Sequence, residues 1–490
     1  MFNSNHKQLN FSKVFMKHKS IILLFALSFL ALVPLDAKKK AKQPEGPKYV
    51  FYLIGDGMGI NTVLGTQYFN AAMGYSPEEV NFFNFPVRTF VTTYSASALV
   101  TDSAASGTAL ATGVKTNNSS VGVDKDFKPV TNIAEMAHAA GFGTGVATSV
   151  GVNHATPASF YAHVKNRNSY NEIAEQLIAT ESIDFAAGAN FLTERNGLSA
   201  SELEAKAEAA GISVLRGREQ FQGIAKHKGR VICFSSNPNE SDLQYAIDRQ
   251  EGATELLDFT RAGIDYLYGN FKDKGFFFMI EGGKIDYAAH ADDGVTAFHE
   301  TNDLARTVDA ILEFYAEHPD ETLIVVTADH ETGACILGAG QYMMNPEFLS
   351  VQKSSENVLT DKFRKFMGNA DASAAPSWES VKDFFKAELG LWSIVKVSPA
   401  DEQALKQIYD SAVSGEGDGN VVSLYAVNSR MVSTAIDILN RSAGYLWAHT
   451  SHTGTPVGLY VKGACAESFI ECRDNTQIPI KIAELAAYNK

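Results

Sequence analysis

Short apolar, β-branched runs recur along the chain at residues 49–54, 89–94, 143–149, 183–187, 230–234, 276–280 and 323–327. Helical periodicity fills the gaps between them, as at 133–140, 201–210, 255–268 and 295–315. Strands that alternate with helices of this length predict βαβ units, and hence an α/β fold with a mostly parallel central sheet and helices on both faces. From about residue 336 to 446 the pattern changes to amphipathic helices at 359–366, 378–387, 402–413 and 431–440. That block predicts a helical insertion or cap near the C-terminal third, on the same domain. With 490 residues and 45% apolar composition, the chain can bury a large core.

The N-terminus carries Lys13, Lys17 and Lys19, then an apolar run over 21–33, then Pro34 and Leu35-Asp36-Ala37. This is the pattern of a secretory signal peptide over residues 1–37, followed by a linker at 38–47 and the main domain over 48–490. The run is short of the ~20 residues that span a bilayer, so no stable membrane anchor is expected and the protein reads as periplasmic or secreted. Four cysteines suit such a compartment. Cys465 and Cys472 are close enough to close a small loop, whereas Cys233 and Cys335 read either as a second pair or as buried thiols. None has the C-x-x-C spacing of a structural zinc site. A formal charge of −14 argues against nucleic-acid binding, so any phosphate recognition is local.

Carboxylates, imidazoles and one serine stand just after apolar runs, where an α/β sheet gathers residues from distant segments into one crevice. Gly55-Asp56-Gly57-Met58-Gly59 lacks the G-x-G-x-x-G spacing of a dinucleotide site, and its Asp suits a cation rather than a pyrophosphate. Alone, such an Asp reads as a turn or cap. Thr101-Asp102-Ser103 precedes a run of small residues able to start a tightly packed helix, which puts Ser103 where free N–H groups favour an anion. Capping is the plainer reading of the Asp-Ser pair. Arg167 offers a bidentate fork to phosphate, unless it is simply solvated. Asp286 and His290 share one helical face four residues apart, Glu281 ends a strand, Asp329-His330 follows another, and His452 lies in Ser451-His452-Thr453-Gly454. Each histidine alone reads as ordinary packing; together the coincidence is hard to explain without metal.

These motifs, with His154-Ala155-Thr156-Pro157 ahead of the arginine, resemble those of the alkaline phosphatase family in content and order, from Val50 to about residue 334 and again from His452 onward. The resemblance implies hydrolysis of phosphate monoesters to an alcohol and inorganic phosphate through a phosphoserine intermediate, at a site of two zinc ions and one magnesium ion. Position by position, Ser103 resembles the nucleophile and Arg167 the phosphate clamp. Asp286, His290 and His452 resemble one zinc's ligands, and Asp56, Asp329 and His330 the other's, with Asp56 bridging to the magnesium. Glu281 and Thr156 resemble magnesium ligands. A homodimer is compatible with the pattern. His154 and Tyr287 depart from the Asp and Lys of the best-known branch, so the third metal's identity stays open, with His154 facing it directly or through water.

Two rivals stand beside this reading. A sulfatase needs a modifiable residue in a C/S-x-P-x-R context, which Ser103-Ala104-Ala105-Ser106 lacks. A phosphodiesterase shares the metals, but Arg167 favours a monoester, which carries one more charged oxygen. From another class, a secreted zinc- or phosphate-binding protein without turnover would have no use for Ser103 beside complete ligand sets.

Overall fold

The structure is a computed structural model that describes residues 46–489 apart from 76–79, 339–341, 369–374 and 418. The expected signal peptide and most of the linker lie outside the described residues. A nine-stranded sheet organises the rest. Its strands are β1 (Tyr49–Gly55), β2 (Val87–Val91), β3 (Gly143–Thr148), β4 (Phe185–Gly188), β5 (Ser213–Arg216), β6 (Val231–Phe234), β7 (Phe276–Gly282), β8 (Thr322–Ala328) and β9 (Val457–Gly463), in the order β2-β9-β8-β1-β7-β3-β4-β6-β5. The sheet is parallel except at β9, which runs antiparallel to both its neighbours.

The sequence dictates the centre of this order. β1, β7 and β8 are buried along their whole length, as strands covered by helices on both faces must be. Helices such as Leu256–Phe271 and Gly294–Glu317 supply the cover, with periodic apolar faces. Two strands escape the sequence pattern. β5 is a half-buried edge strand of four residues, and the glycines that bracket and interrupt β9 hide its apolar residues.

The segment between β8 and β9 has a core of its own, built from Leu359, Phe363, Phe385, Leu405, Ile436 and Leu439 and closed against Val295 and Phe298 of the helix Gly294–Glu317. It is less purely helical than expected. Cys335–Leu337 pairs with Tyr445–Trp447, and Asn420–Val422 pairs with Val427–Ser429. All four cysteines are free thiols, which corrects the expected Cys465 to Cys472 loop. Cys465 sits partly exposed at a left-handed turn (φ 61°), whereas Cys472 is buried in the main core beyond the 3-10 turn Ala466–Phe469, so the turn separates the two sulfurs' environments. No described helix is long and apolar enough to cross a membrane.

Candidate active site

Strand register explains why distant motifs meet. Ile54 of β1 stands opposite Glu281 of β7 and Thr327 of β8, so the next residues along, Asp56 and Asp329, emerge side by side at one sheet edge. β3 pairs Thr148 with Glu281, and the chain beyond it turns into the short helix Ala155–Ala158, preceded by His154. Because β9 is antiparallel, its entry lies at this same edge. His452 stands there, in a two-residue ladder with Glu331–Thr332. Gly57 permits the crowding: its φ is +69°, and a Cβ there would lie 2.6 Å from Asp286 Oδ1. Its N–H donates to Asp329 Oδ1 at 3.0 Å.

Ser103 is the first residue of the helix Ser103–Thr112, and Asp102 caps it by accepting from Ala105 N at 3.0 Å. The capping reading of this pair is therefore realised, and Ser103 stands at the helix N-terminus. Ser103 Oγ lies 3.2 Å from His330 Nε2. Arg167 spans the mouth of the site: Nη1 faces Asp102 Oδ2 at 3.4 Å, while Nη2 donates to His154 Nε2 at 3.0 Å and to the Tyr425 hydroxyl at 3.4 Å. Burial opposes its charge, but Tyr425, Asp102 and Asp56 hold it protonated.

Three ligand sets form: Asp286, His290 and His452; Asp56, Asp329 and His330; and Asp56, His154 and Glu281, the potential ligand atoms in each lying within 4.8 Å of one another. Their chemistry fits cations. Asp56, Glu281, Asp286 and Asp329 are fully buried, and both oxygens of Asp56, Oε1 of Glu281 and one oxygen each of Asp286 and Asp329 lack a hydrogen-bond donor. So many buried carboxylate oxygens are costly unless positive charge answers them. Thr156 Oγ1 is likewise buried and turned toward Glu281. His290 Nδ1 and His452 Nδ1 face the carbonyls of Thr450 and Thr101 at 2.7 and 2.9 Å, which puts a proton on each Nδ1 and turns the two Nε2 atoms toward each other at 3.0 Å and toward Asp286. Burial opposes charge on His290 but Asp286 outweighs it and raises its pKa, so positive charge, a proton or a metal cation, is called for between these groups.

The titration of the cluster tells the same story. Burial, then the neighbouring carboxylates Asp329, Asp286 and Glu281, raise Asp56 well above its usual range. Burial likewise lifts Glu281 to about 7 and Asp329 to about 8. For Asp286 burial is outweighed by His290, His452 and His330, and its pKa falls. Burial and Arg167 push His154 down to about 3, so it is a neutral imidazole that accepts from the guanidinium.

Sequence reasoning missed several residues of this edge. Thr332 donates to Asp286 and lies 3.2 Å from His330 Nδ1; Thr148 donates to Glu281; Ser106 donates to the Asp329 carbonyl at 2.6 Å. Thr332 closely follows the Asp329-His330 motif and Thr148 ends β3, which is the only signal they offer. Tyr425 has none, since it belongs to the segment between the motifs. Tyr287 stacks on it with ring centroids 3.7 Å apart and 16° between planes.

Known proteins share this fold. The profile of the alkaline phosphatase family matches residues 47–488. The chain belongs to the alkaline phosphatase family. It is 32% identical to alkaline phosphatase 4 of Bacillus subtilis over 388 residues, covering 77% of this chain and 74% of the relative. Alkaline phosphatase 3 of the same organism is 30% identical, covering 92% and 91%. The structure of a cold-active alkaline phosphatase from Shewanella sp. superposes with a TM-score of 0.72 at 30% identity, over 89% of this chain and 99% of that one. The chain is thus a phosphatase hydrolase of a metal-dependent family, with the α/β architecture expected from its strand pattern.

Proposed function

We propose that the protein hydrolyses phosphate monoesters through a phosphoserine at Ser103, in a periplasmic or secreted setting. The observation that carries this is the position of Ser103 Oγ at a helix N-terminus, 3.2 Å from His330, with the protonated, largely buried Arg167 paired to the same Asp102 that caps the helix.

Donor chemistry supports two zinc ions, one held by Asp286, His290 and His452 and one by Asp56, Asp329 and His330, because each set mixes imidazole with carboxylate. The third set, with Glu281 and Thr156 beside Asp56, is richer in oxygen and suits magnesium, while His154 brings a softer nitrogen. Cations so held would supply Lewis-acid charge that lowers the serine hydroxyl's pKa and stabilises the leaving oxygen.

Ser103 Oγ, its proton given up to solvent, then attacks phosphorus as the ester P–O bond breaks, and the alkoxide departs from the opposite side and takes a proton from water to become the alcohol. Arg167 holds the equatorial oxygens with its planar fork, oriented by Asp102 at one end and His154 at the other. Water hydrolyses the phosphoserine, releasing phosphate and restoring the hydroxyl. Phosphate release from a monoester and a diester, each with and without chelator, tests the reading: monoester turnover that chelation abolishes is expected, and a faster diester would sink it. A homodimer remains part of the proposal, checked by sedimentation.

Arg167→Lys keeps the charge but loses the fork. Inorganic phosphate should inhibit this variant on the order of 10-fold to 100-fold more weakly, as losing a charged hydrogen bond predicts. An unchanged inhibition constant would count against the clamp. His154→Asp replaces nitrogen by oxygen at the third set. Titration of metal-stripped protein with magnesium at saturating zinc should show tighter magnesium dependence in the variant than in the wild type, and identical curves would remove His154 from that site.

A further inference from the structure

The C-terminal segment reaches the active site through a hydrogen-bond relay that lies outside the three ligand sets. The segment docks just beyond β2, where Thr92 N donates to the Arg473 carbonyl at 2.9 Å and Asn475 N to the Thr92 carbonyl at 3.0 Å. Asn475 is wholly buried there, and its side-chain amide bridges two groups: Lys115 Nζ donates to Oδ1 at 2.7 Å, and Nδ2 donates to Ser106 Oγ at 2.9 Å. Ser106 Oγ donates in turn to the Asp329 carbonyl at 2.6 Å. The ends fix the direction of every link, because an ammonium can only donate and a carbonyl can only accept. The Lys115 charge polarises the whole relay toward Asp329.

The last link bears on the chemistry at both of its ends. Ser106 lies one turn after Ser103 on the helix Ser103–Thr112, so the two serines move as one body. The Asp329 carbonyl shares a peptide plane with His330 N, so holding that oxygen orients the residue whose Nε2 lies 3.2 Å from Ser103 Oγ. A second set of bonds fastens the same segment without touching the site. Asp474 pairs with Lys115 at 3.1 Å and accepts from Thr92 Oγ1 and Thr476 Oγ1, each at 2.7 Å. Anchoring the segment therefore does not itself require Asn475, and a buried amide is costly unless its hydrogen bonds are made.

We propose that Asn475 is a positioning residue that acts through Ser106 and the Asp329 carbonyl to set the distance between the Ser103 nucleophile and His330. The proposal rests on the phosphoserine reading above, and the test separates the two. Metal-loaded wild type, Ser106→Ala, Asn475→Asp, the double variant and Thr92→Ala are compared by three measurements. These are the single-turnover rate at which a labelled monoester marks Ser103, inhibition by inorganic phosphate, and melting temperature. In Asn475→Asp the new carboxylate still accepts from Lys115 but accepts from Ser106 as well, which turns that hydroxyl away from Asp329. Ser106→Ala and Asn475→Asp should each slow labelling about tenfold to a hundredfold, the loss that misplacement by about an ångström brings. Inhibition by phosphate should stay at the wild-type level, since Arg167 and the metal ligands are untouched. The double variant should be no slower than the slower single one, because both break the same link. Thr92→Ala loosens only the anchoring bonds to Asp474, and should lower the melting temperature while labelling keeps its rate. Ser106→Ala deletes a single oxygen, so it decides the question even if Asn475→Asp does not fold. Wild-type labelling in Ser106→Ala overturns the relay, as do losses that multiply in the double variant, or a rate in Thr92→Ala that falls with its melting temperature. A wild type that turns over without labelling Ser103 overturns the phosphoserine reading, and the relay's target with it.

Discussion

Replacing Ser103 with alanine should lower kcat on the order of 10⁴-fold to 10⁶-fold, the loss that follows removal of an enzyme's nucleophile. The helix start should survive, because Asp102 still accepts from Ala105 N and alanine is a good helix former. No metal ligand is removed, so elemental analysis should find the metal content of the wild type. The diagnostic measurement is acid quenching during turnover with a labelled monoester. Wild type should retain label on the peptide containing Ser103, and Ser103→Ala should retain none. Label elsewhere on the variant, or near-normal turnover, would move the nucleophile to another group.

How much of this site the sequence discloses follows from the geometry of a parallel sheet. Each central strand is a local, continuous apolar run, and the residue that leaves its carboxyl end must be at the crevice. Asp56, Glu281 and Asp329 are legible for that reason: strand and ligand are neighbours in sequence. Asp286 and His290 are legible because i and i+4 share a helical face. Residues that reach the site by a longer route are less legible. His452 is named by its motif, but the antiparallel strand that brings it in is not, because V-G-L-Y-V-K-G gives no sign of orientation. Tyr425 depends on the tip of a hairpin within a block whose periodicity announces helices, and its partner Tyr287 reads as packing until the stack is seen. The Cys465 to Cys472 expectation failed similarly, since spacing says nothing of which way two side chains face across an intervening turn.

Stripping the metals should abolish activity and also make stability depend on pH in a way the loaded protein does not share. In the metal-free protein Asp56 is raised well above the usual carboxylate range and Asp329 to about 8, first by burial and then by neighbouring carboxylates. Unfolded, both would titrate near 4. Between these limits the folded state binds more protons than the unfolded state, so stability falls as pH rises and is lost through the folded pKa values. His154 and His330 act oppositely, since burial depresses both, but their contribution is complete once unfolded histidine is neutral above about pH 7. Asp286, with a lowered pKa, has also delivered its contribution by then. The window is therefore pH 7 to 9, where Asp329 and Asp56 lose protons together with His290, which Asp286 raises against burial and which acts in the same direction. Each pKa unit of displacement corresponds to about 1.4 kcal/mol, so the metal-free melting temperature should drop by several degrees across the window. Bound cations replace those protons, and the loaded protein should show a much flatter profile. Melting curves with chelator and with restored zinc and magnesium, taken at pH 7, 8 and 9, provide the check. Parallel profiles would mean that Asp56 and Asp329 are not the groups at which protons and metal compete.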